Sequence, residues 1–243
     1  MIEIDNLRFR YPRSDFLLQI PKLNIDSGEK VAIVGPSGSG KTTLLNLIAG
    51  IVVPISGEIR VDTQTVSTLS DAQRRNFRIA NVGMVFQQFE LVEYLDTRNN
   101  ILLPFAINKS LNLSQSVRSE ASEIAKKMGL GSKLKRRSNQ LSQGEQQRVA
   151  ICRALITNPK LILADEPTGN LDPANKRLIL DLMFEQADQR EQTLVVVTHD
   201  MGIIEGFDRI IDFELFRIEK DPDNTILETA DPTGQNGSGG VSP

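Results

Sequence analysis

Tryptophan is absent from this sequence, tyrosine occurs twice, and cysteine and histidine occur once each. The single cysteine, Cys152, cannot close an internal disulfide, and it sits in an apolar run of helical period where a buried, inert thiol is expected. An excess of positive charge is also missing: 28 Lys and Arg face 31 Asp and Glu, a net charge of −3. No global basic field of the kind that attracts a phosphate backbone exists, so nucleic acid is not an expected partner. No apolar run approaches the ~18 residues that a membrane-spanning helix needs. The start, Met1-Ile2-Glu3-Ile4-Asp5, has neither a basic segment nor an apolar leader core. The expectation is a chain on the cytoplasmic side that does not itself enter a membrane.

What is present is an ordinary globular mixture, 40% hydrophobic and 24% charged over 243 residues. That length suits one large α/β domain with a subdomain inserted in it. Residues 1–229 are expected to form this domain. The stretch Pro232-Thr233-Gly234-Gln235-Asn236-Gly237-Ser238-Gly239-Gly240 has too little apolar surface to offset its ordering entropy, so 230–243 is expected to be a disordered tail.

Along the chain, Ile2 to Phe9 and Phe16 to Ile25 read as two strands of an antiparallel hairpin. Val31-Ala32-Ile33-Val34 is a short apolar strand followed by a glycine-rich loop and a helix with Leu44, Leu45, Leu47 and Ile48. Further strand signals lie at Gly57 to Asp62 and Val82 to Phe86, with a polar segment at 63–78 between them. From about 88 to 159 the pattern is helical. Val117, Ala121, Ile124, Ala125 and Met128 share a face there, and Gly129 suits a C-terminal cap. Strands return at Leu161 to Ala164 and Thr193 to Thr198, around a helical run at 174–187. Strands alternating with helices predict a mostly parallel sheet.

Three motifs carry chemistry. The segment Gly35-Pro36-Ser37-Gly38-Ser39-Gly40-Lys41-Thr42, followed by Thr43, fits G-x-x-x-x-G-K-[ST] and lies between a predicted strand and a predicted helix. Its glycines let backbone N–H groups curl round phosphate oxygens. Lys41 reaches the terminal phosphates and Thr42 offers its hydroxyl to Mg²⁺. The strand ending Ala164-Asp165-Glu166 brings two carboxylates to a sheet edge, Asp165 to hold the ion's shell and Glu166 to polarise the attacking water. These two motifs fit many phosphate-loop nucleotidases. The third, Leu141-Ser142-Gln143-Gly144-Glu145-Gln146-Gln147-Arg148, narrows the field. Its Ser142-x-x-Glu145 is also a capping box opening a helix whose apolar face is Val149, Cys152 and Leu155 or Ile156.

That third motif resembles the signature of the ABC ATPases, usually L-S-G-G-Q, and the order of motifs resembles that family over residues 2 to 212. Two positions depart from the pattern. Gln143 replaces the usual glycine, which requires a negative φ, and Glu145 replaces the usual glutamine. The resemblance implies ATP and Mg²⁺ as ligands, with a second copy of the chain completing each nucleotide site through Ser142 and Gly144. It also implies that Tyr11 stacks on adenine, although a tyrosine at a strand end is an ordinary feature. Gln87 is similar to the Q-loop glutamine that touches Mg²⁺ or water and senses the membrane partner, with Gln88 beside it. Asn170-Leu171-Asp172 resembles the D-loop at the dimer interface, and His199 the switch histidine at the γ-phosphate.

Within the family, Ala164-Asp-Glu-Pro-Thr-Gly-Asn-Leu-Asp172 and Leu95 to Pro104 resemble the group serving lipoprotein release, macrolide export and cell division. This implies an integral membrane permease-type partner, docked on the apolar segment Phe89 to Phe105, with Leu91 and Tyr94 in the docking surface and Glu90, Glu93 and Arg98 on its rim. A peripheral position on the cytoplasmic face of the inner or plasma membrane follows. DNA-repair and chromosome-organising relatives carry coiled coils or zinc hooks, and translation factors of this type carry two cassettes; neither pattern occurs in the sequence.

Overall fold

The computed structural model describes residues 1–216 apart from Lys109 and Asn170, so the expected tail at 230–243 lies outside the described residues. The N-terminal hairpin forms as expected, β1 (Ile2–Arg10) running antiparallel to β2 (Leu17–Ile25). Alternating burial along β1 places Ile2, Ile4, Leu7 and Phe9 inward. After β3 (Lys30–Val34) and α1 (Lys41–Ile48) come β4 (Ser56–Val61) and β5 (Gln64–Thr65), which complete a four-stranded antiparallel sheet ordered β2-β1-β4-β5.

The polar segment that follows contains α2 (Asp71–Asn81), which the apolar pattern does not announce because Phe77 is its single buried residue. Its start is marked by a capping box, Ser70 with Gln73. Beyond β6 (Val82–Val85) come the helices α3 (Thr97–Ile101), α4 (Leu103–Ile107), α5 (Gln115–Lys127) and α6 (Gln143–Leu155), and a second core joins Ile101, Ile124, Met128 and Ile151 of this region to Val85, Ile162 and Val196 of the parallel sheet. Gly129, with φ 69°, ends α5 in the left-handed conformation favoured for such caps.

The chain then alternates through β7 (Leu161–Asp165), α7 (Pro173–Arg190), β8 (Thr193–Thr198) and the short edge strand β9 (Arg209–Asp212). Five parallel strands lie in the order β6-β7-β8-β3-β9. Continuous apolar runs such as Val195-Val196-Val197, all fully buried, are what a sheet covered on both faces requires. On one side α1 buries Leu44, Leu45, Leu47 and Ile48, each contributing about 1.5–3 kcal/mol by removal from water. Among the described residues no helix is long and apolar enough to cross a membrane.

Candidate active site at the carboxyl edge of the parallel sheet

Because every strand of the larger sheet runs the same way, the segments leaving β3, β6, β7 and β8 emerge on one edge, where an open α/β sheet forms its ligand crevice. There Ser37, Gly38, Gly40, Lys41, Thr42, Gln87, Asp165, Glu166 and His199 line one cleft of about 140 Å³. Backbone bonds extend the sheet into it: Gly35 N–H donates to Thr198 O at 3.3 Å and Glu166 N–H to Val197 O at 3.0 Å.

The glycine-rich loop is shaped for an anion. Gly38 and Gly40 take φ of 79° and 103°, and a Cβ added at Gly40 would lie 2.7 Å from the Phe16 ring. Phe213 closes on the loop from behind, 3.1 Å from the corresponding point at Gly35. The Phe16 ring thus leaves no room for a side chain at Gly40, whose positive φ, like that of Gly38, glycine adopts without strain. Lys41 Nζ donates to Gly35 O at 2.6 Å and Pro36 O at 2.8 Å, which keeps its charge in the loop. Burial pushes the Lys41 pKa down, against the opposing pull of Glu166 and Asp165. Ser39 Oγ is buried within the loop with no hydrogen-bond partner, although Ser39 does not line the cleft.

Thr42 Oγ1 donates to Asp165 Oδ1 at 3.1 Å, bringing hydroxyl and carboxylate to the spacing of two ligands of one hard cation. Burial raises the Asp165 pKa, with the Glu166 charge adding to it and the Thr42 hydrogen bond opposing. Glu166 has φ 46°, a left-handed conformation costly for a residue with a Cβ. Its carboxylate is fixed at both oxygens, Oε2 accepting from Thr198 Oγ1 at 3.1 Å and Oε1 lying 2.7 Å from His199 Nδ1. Asp200, next in sequence, pairs with Lys176 at 2.6 Å.

Several of the expected groups lie elsewhere. Ser142 N-caps α6 in a full capping box with Glu145, and Gly144 faces Asn175, so neither lines the cleft of its own chain. Gln143, the first residue of α6, is absent from the positive-φ residues, which meets the condition its side chain imposes. Lys133 pairs with Glu145 and is the main cause of that carboxyl's lowered pKa. Asp172 N-caps α7 and is held by Asn175 Nδ2 at 2.6 Å. Tyr11 also stands outside the cleft lining, its hydroxyl 3.2 Å from Thr43 Oγ1 and its ring beside Phe9 and Phe16. Asn170 lies outside the described residues.

The sequence matches the family described as ABC transporter over residues 18–169. The chain belongs to the ABC transporter family. It is 39% identical to the lipoprotein-releasing system ATP-binding protein LolD of Chromohalobacter salexigens, over 86% of this chain and 88% of that one. It is 40% identical to the macrolide export ATP-binding/permease protein MacB of Rhodopirellula baltica over 87% of this chain, which spans 31% of that longer protein. Among solved structures, it resembles the ATP-binding cassette MJ0796 in a dimeric, post-hydrolysis state bound to ADP and Pi, with TM-score 0.79, 37% identity and coverage of 87% and 94% of the two chains. The cassette is therefore an ATP-binding subunit with ATPase chemistry.

The apolar segment Phe89 to Phe105 divides between a groove and the helical core. A groove of about 430 Å³ runs between the parallel sheet and the helical segment, lined by Met84, Phe86, Leu103, Pro104 and Ile107 among others, with Arg75, Arg78, Glu90 and Arg153 as its charged members. Leu91 packs instead against the helical core. Tyr94 is 78% exposed but does not line the groove, nor do Glu93 and Arg98. Glu90, Leu103 and Pro104 fall within the segment read from the sequence, whereas Ile107, Arg153 and the α2 members Arg75, Arg78 and Ile79 fall outside it, and α2 is a helix the apolar pattern does not reveal.

Proposed function

We propose that this cassette works as one half of a homodimer with two shared nucleotide sites and powers a separate integral membrane partner. Residues 1–229 are read as the cassette, with about 88–159 as its helical subdomain. The observation that carries the reading is the division of the site. The cleft gathers Lys41, Thr42, Gln87, Asp165, Glu166 and His199, while Ser142 and Gly144 sit at a capped helix start outside it. Helix N-termini are anion sites, so a second copy can present its own to the exposed side of a bound triphosphate.

In this reading the loop from Gly35 to Thr43 cradles the phosphates, Tyr11 stacks on the base, and Asp172 lies at the dimer contact. Thr42, Asp165 and Gln87 would hold Mg²⁺, an ion that favours few protein oxygens beside phosphate and water ligands. When bound, it neutralises charge on the phosphates. Glu166 draws a proton from the attacking water, and His199, bonded to the same carboxylate, orients it and meets the γ-phosphate. The names of the relatives support export chemistry, lipoprotein release above all, with other substrates or transmembrane force transmission as variants of the same coupling. The chain would sit peripherally on the cytoplasmic face of the inner or plasma membrane.

Mixing Lys41→Ala chains with Ser142→Arg chains tests the shared site. Each homodimer should be nearly inactive, and phosphate release should reappear on mixing because each heterodimer retains one intact composite site. Absence of any rescue, with mixed dimers present, would sink the reading.

A further inference from the structure

The turn that follows Gln87 is strained and is held by one side chain from another element. Phe89 and Glu90 both take left-handed φ, 50° and 49°, although each carries a Cβ that disfavours it. Their two carbonyls are bound by a single guanidinium: Arg153 Nη2 donates to Phe89 O at 2.7 Å and Nη1 donates to Glu90 O. A planar fork with two parallel donors matches two successive carbonyls in a way that a point charge cannot. On its far side the turn is fixed by buried Asn100, whose Oδ1 accepts from Val92 N–H at 2.8 Å while its Nδ2 donates to Val92 O and Leu95 O. The half of the turn nearer Gln87 is the half that Arg153 holds.

The position of Arg153 gives this clamp its meaning. It lies near the end of α6, whose first turn is the capped signature segment; 13 helical residues make a rigid rod of about 20 Å. It also lines the apolar groove, together with Glu90. Partial burial desolvates the guanidinium and pulls its pKa down, with the Glu90 charge opposing.

We infer that Arg153 is a positioning residue: from the end of the signature helix it holds the Gln87 turn in the shape that the nucleotide cleft uses. This rests on the reading of Gln87 as a cleft residue that contacts the ion or the attacking water. The test uses the purified full chain at a concentration where it is dimeric, comparing turnover, KM for ATP and thermal midpoint. Gln87→Ala should lower turnover. Arg153→Met should lower kcat at least tenfold with KM changed less than threefold, and Arg153→Lys should also lose activity because one ammonium cannot span both carbonyls. Adding Phe89→Gly and Glu90→Gly to Arg153→Met should recover at least threefold, since glycine adopts the left-handed turn without a clamp. A merely structural arginine would not be rescued in this way. Normal kcat in Arg153→Met, or a loss that the glycines leave untouched, overturns the proposal. If Arg153→Met does not fold, Arg153→Lys takes its place with the same two glycines: recovery of turnover supports the clamp, and no recovery overturns it. Unchanged turnover in Gln87→Ala removes the reading beneath the proposal, a failure seen independently of any Arg153 variant.

Discussion

At the scale of single residues, the cleft depends on groups whose identities were legible and whose settings were not. Lys41, Thr42, Asp165 and Glu166 follow from spacing and from their place after apolar strands. The left-handed φ of Glu166, its double anchorage on Thr198 and His199, and the aromatic rings over the phosphate loop involve residues far apart in sequence, which no local pattern encodes. Glu166→Gln keeps the shape and the two contacts but removes the base. Turnover at saturating ATP should fall by about 10²–10⁴ with nucleotide affinity nearly unchanged; phosphate release beside a binding titration measures both. Asp165 has a pH consequence with a definite sign. Its raised pKa means that the folded chain holds a proton that the unfolded chain releases near pH ~3.9, so stability falls as pH rises from there through the raised value. At neutral pH the ionised carboxylate weakens the fold. Asp165→Asn should raise the thermal midpoint at neutral pH, more than near the ordinary aspartate pKa, while abolishing Mg²⁺-dependent nucleotide binding.

At the scale of elements, the hairpin, the buried parallel strands and α5 were readable because their apolar residues keep the proper period. α2 and β9 were not. α2 has a largely polar surface and a single buried side chain, and β9 is an edge strand with three exposed residues of four. The usable signal for α2 was its capping box, S-x-x-Q at Ser70 and Gln73, the same device that opens α6 at Ser142 and Glu145. Since Ser70 lies outside the cleft and the groove, it isolates the value of such a cap. Ser70→Ala should cost about 1 kcal/mol, or a drop of about 2–4 °C in thermal midpoint for a chain of this size, with kcat and KM unaltered. Calorimetry and a turnover assay on the same preparation check this.

At the scale of the molecule, strand order decided what sequence could not. The succession of strands and helices predicted a parallel sheet, but the order β6-β7-β8-β3-β9 is a matter of long-range pairing, and it is this order that brings Gln87, Glu166, His199 and the phosphate loop to one edge. The same arrangement sets the groove on the β6 side, between α2 and α4 and within reach of the turn that carries Gln87. An apolar groove with Ile107 67% exposed and arginines at its margin suits an amphipathic helical segment carrying acidic residues, the class of contact that a membrane subunit would make from its cytoplasmic side. Charge placed in the groove should uncouple without inactivating. Ile107→Glu, or Leu103→Asp as a second site on the same helix, should leave the basal ATPase of the cassette within about twofold, since exposed or half-exposed positions away from the cleft disturb neither core nor chemistry. Stimulation by the membrane subunit, and co-purification with it, should be lost. Leu91→Glu serves as the contrast, because Leu91 packs on the helical core and its substitution should lower the thermal midpoint and basal turnover together. If Ile107→Glu behaved like Leu91→Glu, the groove would be part of the folded core and the docking surface would have to lie on another face.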